Sequence, residues 1–130
     1  FRISTPVGLV AKLDRAYRLP SGLLVLVEFK TRSSNQPCLS DVIQLSAQRM
    51  AVMGQAGLAV ASHAYVMVKT QAGRSLPTAH CVELMSDDQV IALIRRRDNL
   101  LAGRLLPRRP LSLRTCDTCS FRGRCSGFSH

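Results

Sequence analysis

Two apolar stretches, each ending in charged residues, lie on either side of a turn near the start of the chain. Residues 7–14 end in Asp14, and residues 23–31 end in a Glu-x-Lys motif, with Pro-Ser-Gly between the two stretches. Short apolar runs separated by turn residues are typical of a β-hairpin. We therefore predict two antiparallel strands, over residues 7–14 and 23–31, with acidic side chains at one end.

The alternation of side chains along a strand predicts where these charges lie. Glu28 and Lys30 share one face of the second strand, and Phe29 lies on the other. In a matching register Asp14 comes close to Glu28. Two adjacent carboxylates repel unless a cation lies between them, and oxygen ligands suit Mg²⁺ or Mn²⁺. The pattern predicts a metal site for phosphodiester cleavage; solvated charges at the strand ends are the alternative.

These residues and their flanks resemble the PD-(D/E)XK nuclease superfamily, in particular its RecB-like branch. In that branch a strand ending in Gly-x-x-Asp-Arg precedes an apolar strand ending in Asp/Glu-x-Lys-Thr. The corresponding residues are Leu-Asp14-Arg and Glu28-Phe29-Lys30-Thr. The resemblance implies that Asp14 and Glu28 hold Mg²⁺ or Mn²⁺ and that the Phe29 carbonyl is a further metal ligand. It also implies that Lys30 polarises water or stabilises charge in the reaction.

A helix with two glutamines follows. We predict it over residues 40–54, with Ser40 as the N-cap and Asp41 in the first turn. The RecB-like branch carries Gln-x-x-x-Tyr in a helix at this point, and here the two positions are Gln44 and Gln48. The resemblance implies that Gln44 is catalytic and orients water or DNA near the metal. The tyrosine is replaced by Gln48, whose role the resemblance does not supply; two solvent-facing glutamines are the alternative.

The later elements complete an α/β pattern. Residues 60–70 and 78–84 predict a third and a fourth strand joined as a hairpin. Ser86-Asp-Asp-Gln89 predicts a capping box that opens a helix ending near Gly103. The helix between the second and third strands allows a parallel crossover. We predict a mixed sheet flanked by helices, like the restriction-endonuclease-like core that the resemblance implies.

Three cysteines close the chain with the spacing Cys116-x-x-Cys119-x(5)-Cys125. Such a spacing favours metal ligands over disulfides in a protein expected to be cytoplasmic. It is similar to the C-terminus of iron–sulfur RecB-like nucleases, which include the CRISPR-associated RecB-family exonucleases of spacer acquisition and AddB-type subunits. The resemblance implies a [4Fe–4S] cluster bound by these three thiolates and one more ligand.

The fourth ligand is open. In those families a cysteine far upstream of the first acidic motif completes the cluster, and one alternative is that it lies before Phe1. Cys38 or Cys81 could replace it, although both are otherwise expected to be ordinary small residues, with Cys81 buried. A tetrahedral zinc site completed by His130 is the other alternative.

Charge indicates a nucleic-acid partner. The chain has a formal net charge of +10, and half of its 18 Lys and Arg residues are arginines from position 95 onward: Arg95, Arg96, Arg97, Arg104, Arg108, Arg109, Arg114, Arg122 and Arg124. Arginine binds phosphate through a planar, bidentate fork. We expect salt-sensitive DNA binding, although RNA or an acidic protein would fit the charge as well.

These features predict a metal-dependent DNA nuclease with two parts. Residues 1–106 form the nuclease core, and residues 107–130 form an Arg/Cys-rich module that packs on it. The resemblance implies an exonuclease for single-stranded ends that works in CRISPR spacer acquisition or in recombination and repair, with proteins of those pathways as partners. A catalytically silent DNA-binding module with a structural zinc or iron–sulfur site is the alternative. No stretch is apolar enough to predict a membrane span.

Overall fold

In a computed structural model, the chain adopts an α/β fold. The structure describes residues 2–4, 8–70, 76–108, 110, 114–117, 119–120 and 122–124. Its elements, in chain order, are β1 (Arg2–Ser4), β2 (Gly8–Val10), β3 (Arg15–Arg18), β4 (Leu24–Arg32), α1 (Leu39–Ala56), β5 (Val60–Thr70), β6 (Thr78–Glu83), α2 (Asp87–Leu101), α3 (Arg114–Asp117) and a 3₁₀ turn (Arg122–Arg124). The chain divides into two compact units, residues 1–95 and 96–130. The predicted division after residue 106 stays a prediction.

A four-stranded mixed sheet forms the centre of the first unit. The strand order is β3-β4-β5-β6, and β1 and β2 form a separate antiparallel pair. β4 and β5 are parallel and joined through α1, whereas the β3–β4 and β5–β6 pairs are antiparallel. This arrangement confirms the predicted mixed sheet with a parallel crossover. β5 and β6 match the predicted third and fourth strands.

The first strand of the hairpin is placed differently from the prediction. A continuous strand over residues 7–14 is wrong, because Asp14 lies at a bend and the strand that pairs with β4 begins at Arg15. A tight turn explains the shift: Leu19 N donates to Leu23 O (2.9 Å), and Gly22 N donates to Leu19 O (2.8 Å). This turn aligns the residues after Asp14 with β4, and Gly22 adopts a positive φ of 88° that suits glycine.

Helix α1 covers one face of the sheet. Its Leu45 and Val52 pack with Leu24 and Leu26 of β4 and with Val66 of β5 in the main core cluster. Leu26, Leu45 and Val66 are each fully buried, and burial of one such side chain is worth roughly 1.5–3 kcal/mol. Because the chain reverses direction between β4 and α1, the start of the helix lies beside the end of the strand.

Helix α1 begins two residues earlier than predicted. The N-cap is Cys38 rather than Ser40, and the helix runs over Leu39–Ala56. Asp41 determines this start, since its Oδ2 accepts a hydrogen bond from the backbone N–H of Cys38 at 2.8 Å. Gly57 ends the helix in the left-handed conformation, with φ 63°.

Helix α2 opens with the predicted capping box. Ser86 N donates to Gln89 Oε1 at 3.0 Å, and Gln89 N donates to Ser86 Oγ at 3.3 Å. Val90, in the first turns of α2, is buried with Met50 and Ala51 of α1. None of the helices in the described ranges is long and apolar enough to cross a membrane.

Candidate active site

At the end of β4, every second side chain is charged and faces α1. Leu24 and Leu26 begin this face of the strand, and Glu28, Lys30 and Arg32 continue it. The interface between β4 and α1 therefore changes from apolar to polar along the strand. We call Glu28, Lys30, Arg32, Asp41 and Gln44 the polar strip. Phe29 points to the opposite face, where the Arg15 guanidinium lies 4.9 Å from its ring centre.

A bidentate ion pair closes the outer end of the polar strip. Arg32 Nη1 donates to Asp41 Oδ2 at 2.8 Å, and Nη2 donates to Asp41 Oδ1 at 2.9 Å. Arg32 Nη1 also donates to the carbonyl of Gln36 at 3.0 Å, within the loop that leads to α1. These contacts fix the first turn of α1 against the end of β4, and the next turn carries Gln44.

The same ion pair sets a pH dependence of stability. The pKa of Asp41 is lowered, first by its hydrogen bonds with Arg32, while burial opposes that shift and the Cys38 N–H adds to it. The pKa of Arg32 is raised by the hydrogen bond to Asp41. A lowered carboxyl pKa gives stability that is complete above the unfolded value of about 3.9 and is lost as pH falls through the folded value.

We expect the stability of Asp41→Asn to depend less on pH in the acidic range than that of the wild type. Urea unfolding between about pH 6 and pH 3 would show a smaller loss of unfolding free energy for this variant than for the wild type. Asp98→Asn removes an exposed ion pair with Arg97 and is the control that should leave the slope unchanged. Parallel pH profiles for wild type and Asp41→Asn would contradict the assigned shift.

The inner part of the polar strip is a three-membered cluster. Gln44 Nε2 donates to Glu28 Oε1 at 2.9 Å, and Lys30 Nζ donates to Gln44 Oε1 at 3.2 Å. Lys30 Nζ also lies 3.2 Å from Glu28 Oε1. The ammonium can only donate and the carboxylate can only accept, so the Gln44 amide has one orientation that satisfies both. The structure thus brings together three of the four predicted catalytic residues.

One carboxylate oxygen of this cluster has no partner in the described part of the chain. Glu28 is 3% exposed, and its Oε2 is buried without a hydrogen-bond donor from the described residues. A buried, unpartnered carboxylate oxygen is unfavourable, and it is a ligand of the kind that Mg²⁺ and Mn²⁺ prefer. The cluster therefore fits a metal at the Oε2 side of Glu28, while Oε1 is held by Lys30 and Gln44.

The position of Asp14 is compatible with a second ligand. β3 and β4 are antiparallel, and their first residue pair is Arg15 with Val27. If this register is continued by one residue, Asp14 lies opposite Glu28. Asp14 is exposed. Phe29 lies beyond the last residue of β4 that pairs with β3, and it pairs with Met67 of β5. Within the described ranges, no group of three or more His, Cys, Asp or Glu residues could hold a metal.

Two further polar contacts were not predicted from the sequence. Asn35, in the loop before α1, donates to Thr78 Oγ1 at 3.0 Å and contacts His80 Nε2 at 2.9 Å, which ties this loop to β6. Gln48, 2% exposed, donates to the carbonyl of Lys12 at 2.7 Å. Asp41, Gln44 and Gln48 are three and then four residues apart, so they lie on one side of α1. This spacing is the sequence signal that could have indicated that Gln48 faces the sheet.

The cysteines of the second unit are described only in part. Cys116 lies in α3, and the backbone N–H of Cys119 donates to the Cys116 carbonyl at 3.2 Å; both thiols are free. Cys125 and His130 lie outside the described residues. Cys81 is exposed on β6, so its predicted burial is wrong. The cluster and zinc alternatives remain predictions.

The mixed sheet and the cluster of Glu28, Lys30 and Gln44 fit a class of nucleases, and a comparison with known families identifies that class. The sequence profile of the PD-(D/E)XK nuclease superfamily matches residues 1–126. The chain belongs to this superfamily, whose members are generally phosphodiesterases that act on DNA with Mg²⁺ or Mn²⁺.

A solved structure has a similar fold. The crystal structure of SSO0001 aligns with a TM-score of 0.51 at 15% identity, over 82% of this chain and 46% of that one. The chain therefore spans less than half of that protein. At this identity the similarity concerns the fold alone. No curated protein sequence matches the chain.

Proposed function

We propose that the protein is a metal-dependent DNA exonuclease whose active site is Asp14, Glu28, Lys30 and Gln44. The observation that carries the proposal is the buried Glu28 carboxylate, with Oε1 held by two side chains and Oε2 left for a cation. Asp14 and Glu28, with the Phe29 carbonyl, would hold Mg²⁺ or Mn²⁺. When bound, this metal polarises the phosphoryl group and lowers the pKa of a water nucleophile.

The side chains of the cluster have separate roles. Lys30 is partly exposed and carries its positive charge next to Glu28, where negative charge develops on the phosphate during attack. Gln44 fixes both of its neighbours, because its amide accepts from Lys30 and donates to Glu28. The Arg32–Asp41 pair holds the helix that presents Gln44. These contacts preorganise the cluster, so the groups need little rearrangement when substrate binds.

Single-stranded DNA ends are the substrate that we propose. The support is the net charge of +10 and the similarity of the Asp14-Arg, Glu28-x-Lys30 and Gln44 motifs to the RecB-like branch. The same similarity supports a role in CRISPR spacer acquisition or in recombination and repair, together with the proteins of those pathways.

An assay with end-labelled DNA tests this proposal. The protein is incubated with Mn²⁺ and oligonucleotides labelled at the 5′ or the 3′ end, single- or double-stranded, with EDTA as the control. We expect mononucleotides or short products from single strands, released from one end and abolished by EDTA. Internal cleavage of closed circular DNA would overturn the exonuclease assignment.

A catalytically silent DNA-binding module is the second candidate. It is favoured by the lack of a third acidic, His or Cys ligand among the described residues near Asp14 and Glu28. Tight, salt-dependent DNA binding without degradation in any metal would support this candidate over the nuclease.

We further propose that Cys116, Cys119 and Cys125 bind a [4Fe–4S] cluster, with zinc as the alternative. Protein purified without oxygen should then absorb in a broad band near about 400 nm, whereas a zinc site would be colourless with one equivalent of Zn²⁺. Cys116→Ser should lose the metal, and Asp98→Asn, which changes an exposed residue of α2, should keep it. Equal metal content in both variants would contradict the assignment.

A further inference from the structure

We infer that Gln48 is a positioning residue for the metal site, because it holds the segment that carries Asp14. Its Nε2 donates to the carbonyl of Lys12 at 2.7 Å, and Lys12 lies two residues before Asp14. Since this role concerns the metal held by Asp14 and Glu28, the inference rests on the proposed function.

Helix α1 contacts both halves of the site from one face. Gln44 bonds to Glu28, and Gln48, one helical turn later, bonds to the backbone that leads to Asp14. The two carboxylates lie on different parts of the chain, and the β3–β4 ladder begins only at Arg15. Gln48 therefore supplies a restraint on Asp14 that the sheet does not.

The segment before Asp14 is held by packing as well as by Gln48. Residues 11–13 are not part of a strand, although Leu13 packs against the main core cluster and Ala11 against the second one. Apolar packing limits where the segment lies but does not fix the orientation of its peptide groups. The directional bond from Gln48 orients the Lys12 carbonyl, and Asp14 follows at the bend.

The amide of Gln48 is itself only half satisfied. Its Oε1 is buried and has no hydrogen-bond partner among the described residues. A buried amide with an unpaired oxygen is a weak choice for stability alone, because an apolar side chain of the same length would avoid the unpaired acceptor. This energetic cost is consistent with a role for Gln48 in positioning the segment before Asp14. It also indicates that Gln48→Met will fold, since methionine has a similar length and leaves no unpaired amide oxygen at this position.

Mn²⁺ affinity measured by electron paramagnetic resonance, together with melting temperature, tests this role. We expect Gln48→Met to bind Mn²⁺ about tenfold more weakly than wild type, at the lower end for residues that orient metal ligands. Gln48→Leu should give the same loss. Ser46→Ala is the matched control: Ser46 is a buried residue of α1 whose Oγ accepts from Met85 N at 2.9 Å, away from Asp14. It should lower the melting temperature but leave the affinity within twofold.

The outcomes separate the two proposals. Wild-type affinity in Gln48→Met and Gln48→Leu, or an equal loss in Ser46→Ala, would overturn the role of Gln48. Glu28→Gln should abolish Mn²⁺ binding. If it does not, the proposed metal site fails whatever the Gln48 variants show.

Discussion

Replacement of Lys30 by methionine should reduce DNA cleavage by about a thousandfold, which corresponds to roughly 4 kcal/mol of lost transition-state stabilisation. Lys30 Nζ contacts both Glu28 and Gln44, and it is the positive charge of the cluster. Methionine has a similar length but no charge. Cleavage by Glu28→Gln should fall at least as far, because the amide is a poorer metal ligand than the carboxylate.

The chain offers matched controls for both variants. Lys69 is exposed on β5, and Glu83, the other glutamate of the chain, is exposed on β6. Lys69→Met and Glu83→Gln change the net charge as the test variants do, so they correct for the loss of general DNA attraction. Initial rates at saturating Mn²⁺ give the comparison. Cleavage by Lys30→Met at the rate of Lys69→Met would remove Lys30 from the site.

Loss of the Arg32–Asp41 pair should have the largest effect on stability. Asp41→Asn leaves Arg32 with its counter-charge removed, and we expect a loss on the order of 2–4 kcal/mol, below the roughly 3–5 kcal/mol for fully buried pairs because Arg32 is partly exposed. Arg32→Lys keeps the charge but not the planar fork, and it should lose less. Chemical denaturation at neutral pH measures both.

An exposed pair provides the comparison. The Arg97–Asp98 contact is mostly solvated, so Asp98→Asn should change the free energy of unfolding by less than about 1 kcal/mol. The double variant Arg32→Leu/Asp41→Leu should be more stable than Asp41→Asn alone, because it leaves no uncompensated charge. An Asp41→Asn variant as stable as Asp98→Asn would show that the pair does not anchor α1.

The strand–helix pattern and the contact residues of the cluster could be predicted from sequence because both follow local periodicity. Alternation puts Glu28 and Lys30 on one face, and helical spacing puts Gln44 and Gln48 on another. The β5 and β6 strands and the capping box at Ser86 follow from equally local signals.

The errors occurred where distant contacts decide the structure. The break at Asp14 depends on a turn that aligns β3 with β4, and a strand pattern alone cannot give that register. The start of α1 at Leu39 depends on Asp41, whose carboxylate is held by Arg32 from another element. Gln48 finds its partner 36 positions away, in the carbonyl of Lys12. A backbone acceptor leaves no signature in the sequence.

β3 is an edge strand of the sheet, and this position has a consequence for aggregation. Among the described strands only β4 pairs with it, and all four of its residues are exposed. Exposed strand borders tend to recruit strands of other molecules and start aggregation. Two of the four β3 residues, Arg15 and Arg18, carry positive charge, which opposes pairing between identical chains. The charges on the strand that follows Asp14 thus oppose edge-to-edge pairing, while its first residue, Arg15, begins the pairing with β4.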